Sequence, residues 1–363
     1  MDMLTTPTLH ITPEMLRLIA EIDEFKGAWK ALGALPQERL AALRRVAAIE
    51  SIGSSIRMES CMEGSAAGGM LLDGAVERLL AHFDNSFASR EEQDVLGYAE
   101  TLEQVCGAFA NRPPTEDHIR QLHRDLLRYS PKAQWHRGNY KISVNTVGNQ
   151  RGALRASSLE TASPLAAPRR MRELAEWVHA ALDGESRVVS DGEKVHPLLV
   201  ISIFTAMFLL IHPFQEGNGR LSHILTTLLL LRSGYAYAPY SSLENTMENS
   251  GDDYFLVLRQ TRGLRTAVPD WQPWLLCFLR ALHRQMKRLE QKVEREHRIL
   301  AALPELSLYI MEQVRDHGRA TLKDMTILTG ASRNTLKEHF RKLTASGRIV
   351  MRGKGRGAWY SLR

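Results

Sequence analysis

The chain has 363 residues, of which 44% are hydrophobic and 24% are charged, and its formal net charge is +6. This balance predicts a globular protein of about two domains and excludes a wholly disordered chain. The three cysteines, Cys61, Cys106 and Cys277, are far apart in the sequence. Their number and spacing predict neither a disulfide framework nor a zinc knuckle, and they favour a reducing compartment.

No segment of the sequence predicts a membrane location. The first residues contain neither a basic region nor an apolar core, so we expect no secretory signal and a cytoplasmic protein. The longest uninterrupted apolar run, Leu198–Ile211, has 14 residues. This length is too short to cross a bilayer and is typical of a buried helix.

Apolar residues recur with helical spacing along most of the chain. The predicted helices are Thr12–Arg45, Glu91–Ala110, Glu116–Leu127, Pro168–Leu182, Leu198–Ile211, Arg220–Arg232, Tyr254–Arg262 and Trp271–Leu300. Between them, Lys141–Pro164 lacks helical periodicity, and Val147–Gly152 favours a short hairpin there. The charged end of the last helix predicts a solvated connection that ends near Pro304, at a domain boundary.

The C-terminal residues carry the basic charge and predict a winged helix. Residues 301–363 hold 12 Lys/Arg and 5 Asp/Glu, a net +7, which leaves −1 for the preceding 300 residues. Thr321 and Ser332 are expected to cap two helices separated by Gly330, and a hairpin follows with a basic, glycine-rich tip. The candidate DNA contacts are basic or amide side chains on the second helix and at the hairpin tip: Arg333, Asn334, Lys337, Arg341, Arg352, Lys354 and Arg356. Protein docking is the alternative use of such a module.

The segment with the clearest chemistry is His212-Pro-Phe-Gln-Glu-Gly-Asn-Gly-Arg220, between two predicted core helices. The unpaired N–H groups at the start of the second helix form an anion site, and glycines let a phosphate approach the backbone. Asn218 adds a side-chain donor, and Arg220 adds a guanidinium that suits phosphate oxygens. Glu216 can hold Mg²⁺, and His212 can act as a general base. These residues together predict nucleotidyl or phosphoryl transfer.

Other nucleotide and metal sites fit the sequence less well. A Walker-type loop is absent, and no Gly-x-Gly-x-x-Gly follows a strand. His212, Glu216 and His223 lack the spacing and the thiolates of zinc sites.

The segment resembles the signature of the Fic family, His-Pro-Phe-x-Asp/Glu-Gly-Asn-Gly-Arg-x-x-Arg, and His212–Arg220 match every defined position. Gly138–Gly148 resembles the family's flap, a hairpin that registers a target segment, and Ser54–Glu59 resembles its inhibitory helix. Tyr254-Phe255 resembles its nucleotide-side aromatic pair. The resemblance covers roughly residues 10–265 and implies an all-α Fic fold with a short hairpin flap. The expected domains are an N-terminal helical segment (1–90), a Fic core (91–265), connecting helices (266–303) and the winged-helix domain (304–363).

The resemblance implies transfer of AMP from Mg-ATP to a Tyr, Thr or Ser hydroxyl of a target protein. The enzyme itself is one candidate target. His212 would take the proton, and Glu216 would hold Mg²⁺. The residues expected to bind the nucleotide are Gly217, Asn218, Gly219, Arg220, Asn145, Thr146, Val147, Gly148 and Tyr254. A homodimer is expected from the family. The alternatives are a DNA-binding regulator with a nucleotide-sensing or degenerate Fic core, and removal of AMP from a modified target.

Two positions depart from the family pattern. His223 stands where the second arginine of the signature is expected to meet the γ-phosphate and the inhibitory glutamate. The inhibitory pattern is Ser/Thr-x-x-x-Glu-Gly/Asn, and Ser55–Glu59 fits its first five positions, although Ser60 follows. We predict that Glu59 is the inhibitory residue, with Ser55 in the same motif and Glu63 as the alternative.

Overall fold

The computed structural model describes residues 9–32, 35–63, 71–81, 89–107, 112–130, 134–144, 146–147, 159–183, 188–190, 193–250, 254–261, 270–301, 304–353 and 357–362. Within these ranges the chain is mostly helical, which confirms the predicted all-α fold. The helices are α1 Pro13–Leu32, α2 Gln37–Glu63, α3 Asp73–Ala81, α4 Arg90–Cys106, α5 Glu116–Leu126, α6 Ala167–Asp183, α7 Pro197–Ile211, α8 Asn218–Arg232, α9 Leu243–Glu248, α10 Tyr254–Gln260, α11 Gln272–Ala301, α12 Glu305–His317, α13 Leu322–Thr329 and α14 Arg333–Ala345. None of them combines the length and apolarity that crossing a membrane requires.

The described strands form three antiparallel pairs: β1 Thr146–Val147 with β2 Leu159–Glu160, β3 Val188–Ser190 with β4 Glu193–Lys194, and β5 Ile349–Arg352 with β6 Trp359–Leu362. The first pair is the hairpin predicted in Lys141–Pro164, with Thr146 opposite Glu160. Its connecting residues 148–158 lie outside the described residues. The second pair was not predicted, because strands of three and two residues are too short to show an alternating pattern.

The single helical pattern predicted over Thr12–Arg45 is two helices in the structure. Pro36 separates α1 from α2, since a proline disfavours helical geometry in the residue before it. The second helix then runs on to Glu63, so it carries Ser55 and Glu59 inside a regular helix. It packs against α4, α8 and α9, the elements that surround the candidate site.

The middle of the fold is the buried helix α7. Residues 198–211 are buried at every position, so this helix has no solvent-facing side. Pro197 occupies its first turn, and the His196 side chain accepts a hydrogen bond from the Leu198 N–H, which fixes where the helix begins. Helices α6 and α8 pack against it. The end of α7 and the start of α8 are thereby held in position, and the His212–Arg220 loop joins them.

Helices α4 and α5 approach closely at Gly97, which is buried. A Cβ at this position would overlap the carbonyl oxygen of Leu126 at the end of α5. The Gly97→Ala variant is therefore expected to lower the free energy of unfolding by about 2–3 kcal/mol, as overpacked core positions do. Gly27→Ala is the matched control, because nothing lies within 4 Å of a Cβ on this exposed residue of α1.

Gly27→Ala should raise the free energy of unfolding by about 0.5–1 kcal/mol, because alanine loses less backbone entropy in a helix. Denaturant titration of the two variants measures both changes. Equal stability of the two variants would contradict the close approach of α4 and α5.

Residues 291–363 form a second compact unit. Its core consists of apolar residues from three helices, one strand and the connection between α12 and α13: Ile310, Val314, Ala320, Met325, Leu336, Phe340, Leu343 and Ile349. As predicted, Thr321 and Ser332 cap α13 and α14, and Gly330 adopts a left-handed conformation with φ of 67° between them. The element order is the helix, turn, helix and hairpin expected from the sequence. Its assignment as a winged helix stays a prediction.

Candidate active site

His212 ends α7 in a left-handed conformation, with φ of 47° and ψ of 63°. Among the described residues it is the non-glycine residue with positive φ, a strained geometry that proteins retain mainly at functional sites. Burial and the nearby charge of Lys141 lower the pKa of His212 to about 3, although a hydrogen bond to the Leu209 carbonyl opposes the shift. The imidazole is therefore neutral at pH 7. One ring N–H donates to Leu209. The other ring nitrogen of a neutral imidazole carries no proton, so it can accept one.

The glycine loop turns sharply into α8. Gly217 has φ of 76°, a conformation that favours glycine, and α8 begins at Asn218. The sequence assigned the Asn218 side chain to a bound phosphate, but in the structure both of its ends bond Phe214. Its Oδ1 accepts from the Phe214 N–H at 3.0 Å, and its Nδ2 donates to the Phe214 carbonyl at 2.9 Å. Asn218 therefore closes the loop on itself, and its side chain is already satisfied.

A buried histidine on α5, His123, supports this loop. Sequence reasoning did not predict this residue. The Nδ1 of His123 accepts a hydrogen bond from the Gly138 N–H at 2.8 Å. Its Nε2–H then donates to the Glu216 carbonyl at 3.0 Å, so both ring nitrogens have partners. The ring stacks on Phe214 with a centroid separation of 3.8 Å. His123 thus fixes the first residue of the flap and the glycine loop relative to each other.

Two buried imidazoles make the fold sensitive to acid. Burial lowers the pKa of His123 to about 3, as it does for His212, whereas an unfolded histidine titrates near 6.5. The unfolded chain therefore binds more protons between these values, so stability is complete above about pH 6.5 and falls as the pH drops towards 3. For His123→Gln we expect the slope of unfolding free energy against pH to be shallower by up to about 1.4 kcal/mol per pH unit. Denaturant titrations across this range measure the slope, and parallel slopes for the two proteins would contradict the buried neutral state.

Lys141 ties the flap to the end of α7. Its Nζ donates to the Thr161 hydroxyl at 2.9 Å and to the Ile211 carbonyl at 3.3 Å, and its backbone N–H donates to the Pro213 carbonyl at 2.9 Å. Burial lowers the pKa of Lys141 to about 8, so it is still mostly charged at neutral pH. This charge lies beside His212 and helps to keep the imidazole neutral.

Glu59 reaches from α2 onto the start of α8. Its Oε1 accepts a hydrogen bond from the Gly219 N–H at 3.2 Å, and its Oε2 pairs with the Arg220 Nε. Gly217 at the start of α8 offers no side chain to cap these N–H groups, so the carboxylate satisfies a donor that would otherwise be free. A carboxylate at a helix N-terminus is also stabilised by the helix dipole. Glu59 thus occupies the Gly219 N–H group at the start of α8.

The guanidinium of Arg220 pairs with two carboxylates. In addition to Glu59, its Nη1 lies 2.6 Å from the Asp94 Oδ1 on α4. Its side chain is only 2% exposed, and the two carboxylates raise its pKa against the effect of burial. Sequence reasoning predicted Arg220 but not Asp94. The guanidinium charge is therefore compensated within the protein while Glu59 is in place.

His223 lies one turn further along α8 and does not pair with Glu59. Its Nδ1 lies 2.8 Å from the Ser55 hydroxyl on α2, and burial lowers the pKa of the ring. The neighbouring carboxylate of Glu244 accepts hydrogen bonds from Ser51 at 2.7 Å and from Tyr98 at 3.3 Å. The structure therefore brings Ser55 and His223 together, in a neutral polar contact where the family signature has an arginine.

Glu216 faces two basic side chains. The Arg90 Nη2 donates to its Oε2 at 2.9 Å, and the His136 Nε2 lies 3.4 Å from its Oε1. Across the described residues, no three His, Cys, Asp or Glu side chains gather in a way that could hold a metal ion. A single carboxylate still fits Mg²⁺, since this ion is commonly held by one or two carboxylates and the phosphates of its substrate.

Several predicted site residues lie outside the part of the chain whose side chains are described. Asn145, Gly148, Lys354 and Arg356 lie outside the described residues. Thr146, Val147 and Tyr254 are described only through their backbone in β1 and α10. On the second unit, the described candidate DNA contacts are solvent-exposed side chains: Arg333, Asn334, Lys337, Arg341 and Arg352.

The fold and the site define an all-helical domain in which a strained histidine and a glycine loop join two core helices. Residues 113–230 match the Fic/DOC family. Two curated relatives are similar in sequence: Protein adenylyltransferase Fic of Nematostella vectensis, 23% identical over 222 residues, and Protein adenylyltransferase fic-1 of Caenorhabditis elegans, 24% identical over 149 residues. These alignments span 60% and 40% of this chain, but only 45% and 25% of the relatives.

A solved structure has a similar fold over almost the whole chain. The Fic family protein from Desulfovibrio desulfuricans aligns with a TM-score of 0.62 and 21% identity, covering 99% of this chain and 98% of that one. The match of residues 113–230 confirms the resemblance predicted from His212–Arg220 and identifies this part of the chain as a Fic/DOC family domain.

Proposed function

We propose that the chain transfers AMP from ATP to a hydroxyl group of a protein, and that Glu59 inhibits this transfer. The observation that carries the proposal is the arrangement around the loop. A neutral imidazole ends α7, and the Gly219 N–H at the start of α8 is covered by a carboxylate from α2. The names of the two curated relatives, both called protein adenylyltransferase, agree with this reaction.

In the proposed reaction the hydroxyl oxygen of the target attacks the α-phosphorus of ATP. The bond between the α-phosphorus and the bridging oxygen breaks, and pyrophosphate leaves with that oxygen. The hydroxyl proton passes to the unprotonated ring nitrogen of His212, which must be neutral to accept it. The strained backbone of His212 and its bond to Leu209 hold the ring in one orientation, so less entropy is lost when the reactants meet.

The phosphates would bind to the N–H groups of Gly217, Asn218 and Gly219 and to the Arg220 guanidinium. These donors are fixed by the fold, and fixed donors stabilise the negative charge that develops at the reacting phosphate. Glu216 would hold Mg²⁺, which would neutralise charge on the phosphates. The flap residues Asn145–Gly148 would lie along the target and the nucleotide, and Tyr254 would lie near the adenosine. The expected homodimer and modification of the enzyme itself are further predictions of this proposal.

Inhibition would follow from competition for one site. Glu59 accepts from the Gly219 N–H and pairs with Arg220, and both groups are needed for phosphate binding. A nucleotide would bind productively only in the fraction of molecules in which α2 has released them. The role of Ser55 would be to hold α2 against His223.

Labelled nucleotide tests the reaction. The chain is incubated with a cell lysate and with ATP carrying ³²P at the α- or the γ-phosphate. Label from the α-position on a protein, with none from the γ-position, is the expected result. Transfer of the γ-label alone would mean a kinase, and no transfer from either nucleotide, even by Glu59→Gly, would favour a nucleotide-sensing core.

The exposed face of α14 favours DNA binding as a second function. Its apolar residues Leu336, Phe340 and Leu343 are buried, so its basic residues point to solvent. For the double variant Arg333→Ala/Arg341→Ala we expect weaker binding to duplex DNA, and a slope of log affinity against log salt that is smaller by about 2. The control is Lys342→Ala on the same helix, whose ammonium pairs with Glu338 at 2.9 Å. Identical salt slopes for the wild-type chain and the double variant would contradict this function.

A further inference from the structure

Two of the cations beside the glycine loop already bond other groups of the protein. Arg220 is 2% exposed and lies between Glu59 and Asp94. Lys141 is buried, and its ammonium bonds Thr161 and the Ile211 carbonyl. A polyphosphate on the loop would carry several negative charges. Arg220 can meet them only in place of Glu59, and Lys141 can turn towards them only by losing its buried partners.

Arg90 differs from them in position and exposure. It is the first residue of α4, and its side chain is 51% exposed. Its guanidinium lies 2.9 Å from the Oε2 of Glu216, the residue directly before Gly217. Its Nε lies 3.8 Å from the Oδ2 of Asp94, which also holds Arg220. Arg90 is therefore a solvent-accessible cation at the edge of the loop, and its ion pairs are partly exposed.

The start of α4 is fixed by a capping box, so the placement of Arg90 is built into the helix. The Ser89 hydroxyl accepts from the Glu92 N–H at 3.2 Å, and the Glu92 Oε2 accepts from the Ser89 N–H at 3.2 Å. This arrangement fixes the backbone of Arg90 next to Glu216 while its long side chain can still change partners. An arginine on a fixed helix start is well suited to bind phosphate oxygens with its planar fork.

The charges around the loop show why such a cation is needed. Three carboxylates, Glu59, Asp94 and Glu216, face the guanidiniums of Arg90 and Arg220, which leaves this group with a net charge of −1. Without Arg90 the net charge of the group would be −2, next to a loop that is proposed to bind an anion. The electrostatic cost of placing a polyphosphate there would rise accordingly.

We propose that Arg90 binds the polyphosphate of a nucleoside di- or triphosphate, exchanging its ion pair with Glu216 for one with the nucleotide. The exchange also frees the Glu216 carboxylate to hold the metal ion. The proposal rests on the proposed function, because it assumes that the glycine loop binds a nucleotide. Arg90 lies outside the His212–Arg220 signature, so it is a nucleotide-binding residue that the family pattern does not include.

Calorimetric titration of the full chain tests the proposal. ATP, ADP and AMP are titrated, with Mg²⁺ and with a chelator, into Glu59→Gly and into Glu59→Gly/Arg90→Gln, since Glu59 competes for the loop. The second substitution is expected to weaken ATP and ADP binding at least tenfold and AMP binding less than threefold, because AMP has one phosphate. Arg90→Lys, which keeps the charge, should recover part of the ATP affinity.

Arg128→Gln is the matched control. Arg128 is also half-exposed and also pairs with two carboxylates, Glu100 at 3.1 Å and Asp125 at 2.8 Å, but it does not contact the loop. Its removal should leave the affinity for ATP unchanged. Equal losses for ATP and AMP in the Arg90→Gln chain, or ATP binding within twofold of its parent, would overturn the role of Arg90.

The titration, together with the α-label assay, separates this inference from the proposed function. If neither the wild-type chain nor Glu59→Gly binds any nucleotide, the proposed function fails and the role of Arg90 fails with it. If the parent binds ATP and transfers the α-label, and Arg90→Gln does both equally well, the proposed function stands and the role of Arg90 is refuted.

Discussion

The Glu59→Gly variant is expected to transfer AMP at least tenfold faster than the wild-type chain. The substitution releases the Gly219 N–H and frees Arg220 from one of its two carboxylates. A tenfold gain corresponds to about 1.4 kcal/mol, the free energy that holds about nine-tenths of the molecules in the covered state. Transfer of α-label to protein, measured at equal enzyme concentration, gives the ratio.

Two further variants make this result specific. Glu59→Gln keeps the shape of the side chain and removes its charge, so it should also activate transfer. Because it introduces no glycine into α2, this activation cannot come from a weakened helix. Glu63→Gly places the same glycine four residues later in α2 and should leave transfer unchanged. Activation by Glu63→Gly instead would assign inhibition to Glu63. Loss of activity in Glu59→Gly would favour the hydrolytic removal of AMP, in which the glutamate promotes the reaction.

The His212→Ala variant is expected to lose AMP transfer by a factor of about 10²–10⁴, the usual contribution of a general base. The measurement is made in the Glu59→Gly background, where the starting activity is highest. Because the N–H groups of the loop remain, binding of ATP should change little while the rate of transfer falls. His317→Ala, which removes an exposed histidine of the second unit, is the control and should keep full activity. If His212→Ala transferred the label as fast as its parent, His212 would not be the base.

The sequence predicted the central part of the site because that part is continuous in the chain. His212, the glycine loop and the two flanking helices are continuous in the sequence. The residue types in this segment indicate a general base, a tight turn and phosphate donors. Gly217 shows this directly: the sequence predicted a tight glycine turn at this position, and in the structure Gly217 turns the chain into α8 with a positive φ of 76°. Glu59 was also found from its motif, and the structure places it on Gly219 and Arg220.

The surroundings of the loop could not be predicted in the same way. Arg90 is 126 residues away from Glu216, and His123 is 93 residues away, so only the packing of α4 and α5 brings them to the loop. No local pattern distinguishes such a histidine from any other on a helix. Periodicity predicted this helix from Glu91, and in the structure the capping box Ser89-x-x-Glu92 begins α4, but neither indicates which side chain Arg90 meets.

Asn218 illustrates a different limit. Its residue type indicated a donor for a ligand, whereas the structure uses the whole amide group to close the loop on Phe214. Sequence reveals which groups can form hydrogen bonds, but the choice between a ligand and the backbone depends on the turn geometry. His223 is similar, because its contact with Ser55 depends on the register of α2 against α8.

The central claim is that Glu59 and the nucleotide compete for the start of α8. A crystal structure of Glu59→Gly with Mg-ATP tests this claim most directly. We expect phosphate oxygens within hydrogen-bond distance of the Gly219 N–H and the Arg220 guanidinium, and the unprotonated ring nitrogen of His212 facing the α-phosphate. ATP bound elsewhere, with the loop N–H groups unoccupied or His212 turned away from the phosphates, would contradict it.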